Sequence, residues 1–394
     1  MARVAAEYLF TLDRPGAIRN GFVEYAPDGT VTQVGQCDPS REDVFLEGAL
    51  VPGFVNTHCH VELSYMWKLF QKGTGMAGFI DQINALRDTK PLEEKIGDIR
   101  HWMDVMWRRG VSAMADISNC DDSFLVKKES PMYTRTFLEV FGTEPEDCAP
   151  VMEGVMKLKE KADSLGLDAA PTPHACYTMS PELVTAVSAE GLKSGFLSFH
   201  SEETQEEEDM LKYGTGAMWE NRKSAGMSVP PVTGQSSLLY FIDRLLKAHP
   251  APFDEHILLV HEVCMDQEGI DAVKKVMANP FIALCPRSNI FIHNALPPVR
   301  RMMENGLKLT VGTDSLSSND DLDIVGELFC LQSSFEGLET EELLRWACLN
   351  GAEFLGREDV FGSIEAGKKP GLVYIDNLDA EGRLTARSSS HRIV

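Results

Sequence analysis

The chain has no run of roughly 18 consecutive apolar residues, the length a helix needs to cross a bilayer. Its first residues, Met1-Ala2-Arg3-Val4-Ala5-Ala6-Glu7, lack the apolar core of a secretory signal. Both absences lead us to expect a cytoplasmic protein with no membrane partner. Base is also scarce: Lys and Arg number 37 against 60 Asp and Glu, a net charge of 37 − 60 = −23. Such a surface repels nucleic-acid phosphates and anionic lipid, so a small molecule is the expected partner. Cys-x-x-Cys pairs are missing, and nine cysteines at irregular spacing are not a disulfide framework. Cys176, Cys285 and Cys348 lie in apolar contexts, as small core residues do. No internal repeat and no low-complexity segment is visible, which removes solenoids and flexible linkers.

What is present is a set of histidines at the ends of apolar runs. Leu50-Val51-Pro52-Gly53-Phe54-Val55-Asn56-Thr57 reads as one buried strand and leads into His58-Cys59-His60. Residues i and i+2 of a strand share a face, so both imidazoles point the same way. Two neutral imidazoles aimed at one point are half of a divalent-metal site, although two unrelated histidines would look the same. Phe196-Leu197-Ser198-Phe199 leads into His200, and His256-Ile257-Leu258-Leu259-Val260 into His261. Leu307-Lys308-Leu309-Thr310-Val311-Gly312-Thr313 leads into Asp314. Scattered core histidines would not choose strand ends repeatedly. A site built on the C-terminal ends of parallel strands would.

The 394 residues suffice for one large domain and a small one. Residues 1–50 carry short β-like runs with hairpin turns, and residues 360–394 carry two more. Neither end has enough strands for a stable sheet, so both are expected to pair into one small β-sandwich domain. Between them, over 51–359, eight strand-like runs alternate with helical stretches such as Pro181 to Lys193 and Asp266 to Met277. That pattern predicts an α/β chain, a (β/α)8 barrel beside the composite β domain.

Several segments resemble the amidohydrolase superfamily over nearly the whole chain. They are Pro52 to His60, Pro173-His174-Ala175-Cys176-Tyr177, His200-Ser201-Glu202-Glu203, Cys285-Pro286-Arg287-Ser288-Asn289 and Gly312-Thr313-Asp314-Ser315-Leu316-Ser317-Ser318-Asn319, with Asn350 to Gly356 and Ile364 to Gly371 near the end. The similarity is to the branch of cytosine, guanine and adenosine-type deaminases and chlorohydrolases. The Pro-His-Ala-x-Tyr segment resembles deaminases of adenosine-like nucleosides, including aminodeoxyfutalosine deaminases. Binuclear members use a carboxylated lysine at the end of strand four. Here that strand ends Thr172-Pro173-His174-Ala175-Cys176 without one, which favours a single metal.

The resemblance implies His58, His60, His200 and Asp314 as ligands of one divalent ion, Zn²⁺ or Fe²⁺, a donor set that suits either. It implies Glu203 as proton shuttle and His261 as the group that orients the attacking water. Asp314 would bind metal through one oxygen and accept a proton on the other. His174, Arg287 and Trp67 are the expected substrate contacts, with Phe70 and Phe79 beside Trp67 as walls for a flat heterocycle. Arg287 would meet an anionic or carbonyl group. If a helix begins near residue 203, Glu203 lies in its first turn, whereas Glu202 and Glu206 are expected on a solvated face. The implied reaction is hydrolytic release of ammonia from an aminated heterocycle, such as a 6-aminopurine nucleoside. Guanine- or pterin-type deamination, hydrolysis of another C–X bond, and a binding barrel without activity are the alternatives. Self-association into a homodimer is left open.

Overall fold

In the computed structural model, which describes residues 2–87 and 89–394, four strands come first: β1 (Ala2–Leu9), β2 (Ile18–Tyr25), β3 (Val31–Gln36) and β4 (Phe45–Pro52). Eight follow: β5 (Phe54–Cys59), β6 (Val111–Ser118), β7 (Tyr133–Val140), β8 (Asp168–Pro173), β9 (Phe196–Ser201), β10 (His256–His261), β11 (Pro280–Leu284) and β12 (Lys308–Val311). The last are β13 (Leu372–Ile375) and β14 (Ser390–Arg392). The run from Leu50 to Thr57, expected as one strand, is two, broken at Gly53. A Cβ on Gly53 would lie 1.9 Å from Ser112 Oγ and 2.5 Å from Pro370 O, so only glycine fits where the chain leaves one sheet for the next.

Both chain ends do meet in one sheet, of order β14-β13-β4-β1-β2-β3. Among the described residues its strands are hydrogen-bonded in one six-stranded order. The alternation of its strands gives it two apolar faces. Leu50, Leu372, Val4 and Ala6 form a small cluster on one face. Ala49, Val51, Val373 and Ile375 on the other face join the main core.

The eight central strands all appear where the apolar runs predicted them. They form two parallel four-stranded sheets, β5-β6-β7-β8 and β12-β11-β10-β9. Their inward residues, among them Val55, Ala115, Phe137, Leu258 and Phe281, pack together in one cluster plugged by Phe354. Side chains bridge the two seams between the sheets. At β5/β12, Thr57 Oγ1 donates to Val311 O (3.0 Å), Asn56 Nδ2 donates to Thr313 Oγ1 (2.8 Å), and the Thr313 and Asp314 amides both donate to His58 O (3.0 Å). At β8/β9, His174 N–H donates to Val140 O on β7. Peptide directions alternate along a strand, so the missing N–H groups of Pro171 and Pro173 fall on the β9 side. Thr172 Oγ1 fills the gap, accepting from Ser198 N (2.9 Å) and donating to Ser198 O (2.6 Å).

A buried ion pair ties the loop after His60 to this frame. Lys127 Nζ lies 2.5 Å from Asp116 Oδ2, with both side chains fully buried, and also donates to Ser118 Oγ and Thr136 Oγ1. Asp116 Oδ1 accepts from Val61 N at 2.9 Å. Removing one partner of such a pair strands a buried charge, so Lys127→Met is expected to cost about 3–5 kcal/mol in urea unfolding. Adding Asp116→Asn to Lys127→Met should recover part of that loss, since the stranded charge is gone.

Candidate metal centre and active site

The strand ends bring three imidazoles together. His58 at the end of β5, His60 just after it and His200 near the end of β9 place their ring nitrogens within 4.8 Å of one another. His60 Nε2 and His200 Nε2 each lie 3.2 Å from His58 Nε2. Neutral imidazoles carry one hydrogen each, so a shared hydrogen bond cannot satisfy all three nitrogens. Donors held 2.0–2.1 Å from a tetrahedral metal sit roughly 3.3 Å apart, which matches this spacing. Burial favours the neutral rings that ligation needs, pushing His60 and His200 well below the usual imidazole range. Asp314 Oδ1 faces the same point, 3.7 Å from His58 Nε2 and 3.6 Å from His60 Nε2. The residues therefore fit one divalent cation. Asp314 Oδ2 points elsewhere and accepts from Ser288 Oγ (2.6 Å) and Ser318 Oγ (2.8 Å). That occupies the oxygen expected to take a proton, and leaves Oδ1 as the oxygen facing the site.

His261 ends β10 with φ 77°, a conformation that costs a non-glycine residue free energy and commonly marks function. Asn289 Nδ2 donates to its Nδ1 (3.1 Å), which leaves the proton on Nε2, 3.6 Å from Glu203 Oε1. Burial pushes His261 down to about 3, so the ring is neutral. Glu203 is buried, and burial raises its carboxyl well above the usual range. The helix expected near Glu203 starts later, at Gln205, capped by Thr204 Oγ1. Glu203 instead sits in a turn fixed by Glu207, whose carboxylate accepts from the amides of Glu202 and Glu203 (3.2 and 2.8 Å). Glu202 is not on a solvated face but buried, with φ 49°. Glu206 is partly buried and accepts from Ala77 N at 3.0 Å, capping the helix Gly75–Leu86.

This cluster floors a cavity open to solvent. His174 lines it. Its Nδ1–H donates to Thr178 Oγ1 (2.7 Å), whose own hydrogen goes to Ala175 O (3.1 Å), so Nε2 is left as an acceptor. Burial holds His174 at about 3. Phe79 lines the cavity as expected, but Trp67 and Phe70 do not. Trp67 is 40% exposed, and its Nε1 donates to Asp320 O (2.7 Å) while its ring packs edge-on against Trp102. Phe70 packs behind Phe79. Arg287 also lies outside the cavity lining, with Nη1 on Asp321 Oδ1 and 4.0 Å from Glu327 Oε1. Its address at the end of β11 is right, but Asp321, folded back upon it, already neutralises it.

Sequence reasoning missed several cavity residues. Glu139 ends β7, with Oε1 3.3 Å from His200 Nδ1 and Oε2 accepting from Asn119 Nδ2 (3.1 Å). His200 Nδ1 hydrogen-bonds His174 O at 3.3 Å, which leaves Nε2 free to face His58, with Glu139 Oε1 beside the same ring nitrogen but without a hydrogen bond of its own. Glu139, His174 and His200 also bring ring and carboxylate atoms within 4.8 Å of one another. Met76, Ile80, Ile83 and Arg87 form a wall with Phe79, from the helix Gly75–Leu86 and its cap. The only signal in the sequence was the period of that helix, with Met76, Phe79, Ile80, Ile83 and Arg87 on one face.

A model of the Amidohydrolase family matches residues 49–390, from within β4 to the start of β14. The chain belongs to the amidohydrolase family. A Helicobacter pylori adenosine deaminase is 28% identical over 342 residues, covering 84% of this chain and 80% of that protein. A 5-methylthioadenosine/S-adenosylhomocysteine deaminase of Halalkalibacterium halodurans is 26% identical over 403 residues, covering 91% and 81%. In fold, the chain is similar to Helicobacter pylori aminofutalosine deaminase in complex with methylthio-coformycin, with TM-score 0.79, 24% identity, and 98% and 94% of the two chains covered. It is similar, too, to a Xanthomonas campestris adenosine deaminase with bound zinc, with TM-score 0.71, 19% identity, and 95% and 84% covered.

In this amidohydrolase, Glu139→Gln should keep the fold and weaken metal retention. Loss of a carboxylate behind a ligating imidazole typically costs roughly 10- to 100-fold in affinity. Competition against a chromophoric chelator measures this directly. An unchanged metal affinity would show that His174 O alone orients His200.

Proposed function

We propose that this chain is a metal-dependent aminohydrolase that releases ammonia from the 6-amino position of a purine nucleoside. The observation that carries the reading is the convergence of His58, His60, His200 and Asp314 Oδ1 beside the Glu203–His261 pair on the floor of one cavity. The four ligands would hold one Zn²⁺ or Fe²⁺. When bound, such an ion lowers the pKa of water toward neutrality and so supplies a strong nucleophile. Glu203 Oε1 takes a proton as the water attacks C6, and delivers it to N1 of the ring. The C6–O bond forms, Glu203 then takes the proton left on that oxygen and passes it to the amino nitrogen, the C6–N bond breaks, and the nitrogen leaves as ammonia while C6 keeps the oxygen as a carbonyl. His261 Nε2–H orients the attacking oxygen, and Asp314 Oδ1 is the second carboxylate oxygen within reach. His174 Nε2 accepts from an amino or hydroxyl group of the substrate. The relatives named for adenosine-type substrates support a nucleoside over a guanine or pterin ring. A binding barrel without activity would not need Glu203 and His261 buried side by side.

Two further parts belong to this reading. The eight central strands close as a (β/α)8 barrel, supported by the side-chain hydrogen bonds at both seams. Residues 1–50 and 360–394 act as a separate composite β domain around a catalytic unit of residues 51–359.

Screening the zinc- or iron-loaded protein for ammonia release should show turnover on adenosine derivatives above guanine, pterins and pyrimidines. Elemental analysis should give one metal per chain. Two equivalents at full occupancy would mean that Glu139, His174 and His200 also load. Glu203→Gln should keep the metal and lose roughly 10²–10⁴-fold in kcat. Near wild-type turnover in that variant would remove Glu203 from proton transfer.

A further inference from the structure

With Arg287 held by Asp321, the segment Cys285-Pro286-Arg287-Ser288-Asn289 reaches the site through its last two residues. Residues 286–289 form the first turn of the helix Pro286–His293, where Pro286 presets the backbone. The Arg287 amide donates to Glu327 Oε2 (3.1 Å), and the Asn289 amide to Cys285 O (3.0 Å). From this anchored turn two neighbouring side chains reach different groups of the site. Ser288 Oγ donates to Asp314 Oδ2 (2.6 Å), and Asn289 Nδ2 donates to His261 Nδ1 (3.1 Å). Asn289 and His261 are both buried, so bulk water does not compete for that bond. A neutral imidazole carries one hydrogen, and the bond made at one nitrogen decides which nitrogen holds it. With a donor at Nδ1, the hydrogen lies on Nε2, 3.6 Å from Glu203 Oε1. The reverse arrangement would turn a bare Nε2 lone pair toward that carboxyl oxygen, acceptor against acceptor.

We propose that Asn289 is the positioning residue that decides which nitrogen of His261 carries the hydrogen, and so makes Nε2–H a donor to the attacking oxygen. The proposal rests on the deaminase reading above. An amide suits the task because it offers His261 a donor without a charge. A carboxylate in the same place would accept instead, draw the hydrogen onto Nδ1, and leave Nε2 as a lone pair that repels an oxygen nucleophile. Alanine there would let either tautomer form. The strained backbone of His261, with φ 77°, belongs to a strand end whose next amide, that of Glu262, donates to Ser201 O on β9 (3.1 Å). The strand end thus fixes where the ring sits, and Asn289 fixes which way its hydrogen points.

The test reads the tautomer separately from turnover. In zinc-loaded protein with ¹⁵N-labelled histidines, long-range proton–nitrogen spectra distinguish a protonated ring nitrogen from a bare one, and His261→Asn identifies the signal. Wild-type His261 is expected to carry its hydrogen on Nε2. In Asn289→Asp the hydrogen should move to Nδ1 while the metal content stays unchanged. Its kcat on the best adenosine derivative should fall roughly 10²–10³-fold, the usual worth of one aligned donor to a reacting oxygen. Its KM should stay within about 3-fold, as expected when the lost interaction belongs to the transition state. Asn289→Ala should lose less than Asn289→Asp, because part of the population keeps the productive tautomer. A residue that acts only through His261 adds no loss once that ring is gone, so Asn289→Ala added to His261→Ala should stay within about 3-fold of His261→Ala alone. A wild-type hydrogen on Nδ1, Asn289→Asp turning over at near the wild-type rate, or additive losses in the double variant would each overturn the proposal and leave the deaminase reading standing. If Asn289→Asp does not fold or load zinc, the wild-type spectrum and the double variant decide. No ammonia release by fully loaded wild-type protein would overturn the deaminase reading and the role given to Nε2–H, with the tautomer still read from the spectrum.

Discussion

Three imidazole nitrogens whose lone pairs face one another, 3.2 Å apart, are the constraint around which this structure is organised. Without a cation between them they gain nothing from proximity, so other contacts must hold them. The His58 carbonyl is clamped by the Thr313 and Asp314 amides, and His200 N–H is tied to His174 O at 2.9 Å. The loop after His60 is pinned by Asp116, itself fixed by Lys127. A Cβ on Gly312 would lie 2.7 Å from His58 Cβ, so the β12 end can approach only because that residue is glycine. Left-handed backbone at Glu202, His261 and Asp314 lies at the same strand ends. The strain and the ligands coincide because the flanking sheets over-determine the conformation there.

Much of the acid excess that looked like surface is internal. Glu62, Glu139, Glu207 and Glu327 are buried, and burial raises their carboxyls to about 7, 8, 8 and 8. Each accepts hydrogen bonds from groups that shape the site. Glu62 takes the Asn119 amide, Glu207 the turn at Glu203, and Glu327 both the Arg287 amide and the Asn319 side chain. These carboxyls act as braces for loop amides, which lack sheet partners and would otherwise be unsatisfied.

The sequence made the floor of the site legible and hid its walls. Strand ends could be read because a buried parallel strand is an apolar run, and a polar residue that stops the run must face the C-terminal end of the sheet. That logic located His58, His60, His200, His261 and Asp314. It missed the break at Gly53, since a change of sheet leaves no mark in hydrophobicity. It placed Arg287 at the substrate because a strand-end address says nothing about which acids fold back upon it. It put Glu202 and Glu206 on a solvated face, whereas Glu202 is buried and Glu206 partly buried, because the helix starts at Gln205 and its first turn packs on the site.

The floor and the wall of the cavity are carried by different elements here, joined through one segment. The candidate ligands sit at strand ends, where hydrogen bonds fix them. The outer wall is one helix, Gly75–Leu86, whose N-terminus is capped by the Glu206 carboxylate. Glu206 lies three residues after Glu203, and Glu207, in the first turn of the helix that begins at Gln205, fixes the Glu203 turn. Displacement of the helix Gly75–Leu86 would therefore pull on the segment that carries Glu203. Gly75 sharpens the coupling, because a Cβ at that position would meet Glu206 Oε1 at 2.3 Å and break the cap. The cavity wall is thus continuous, through Glu206 and Glu207, with the turn that carries Glu203.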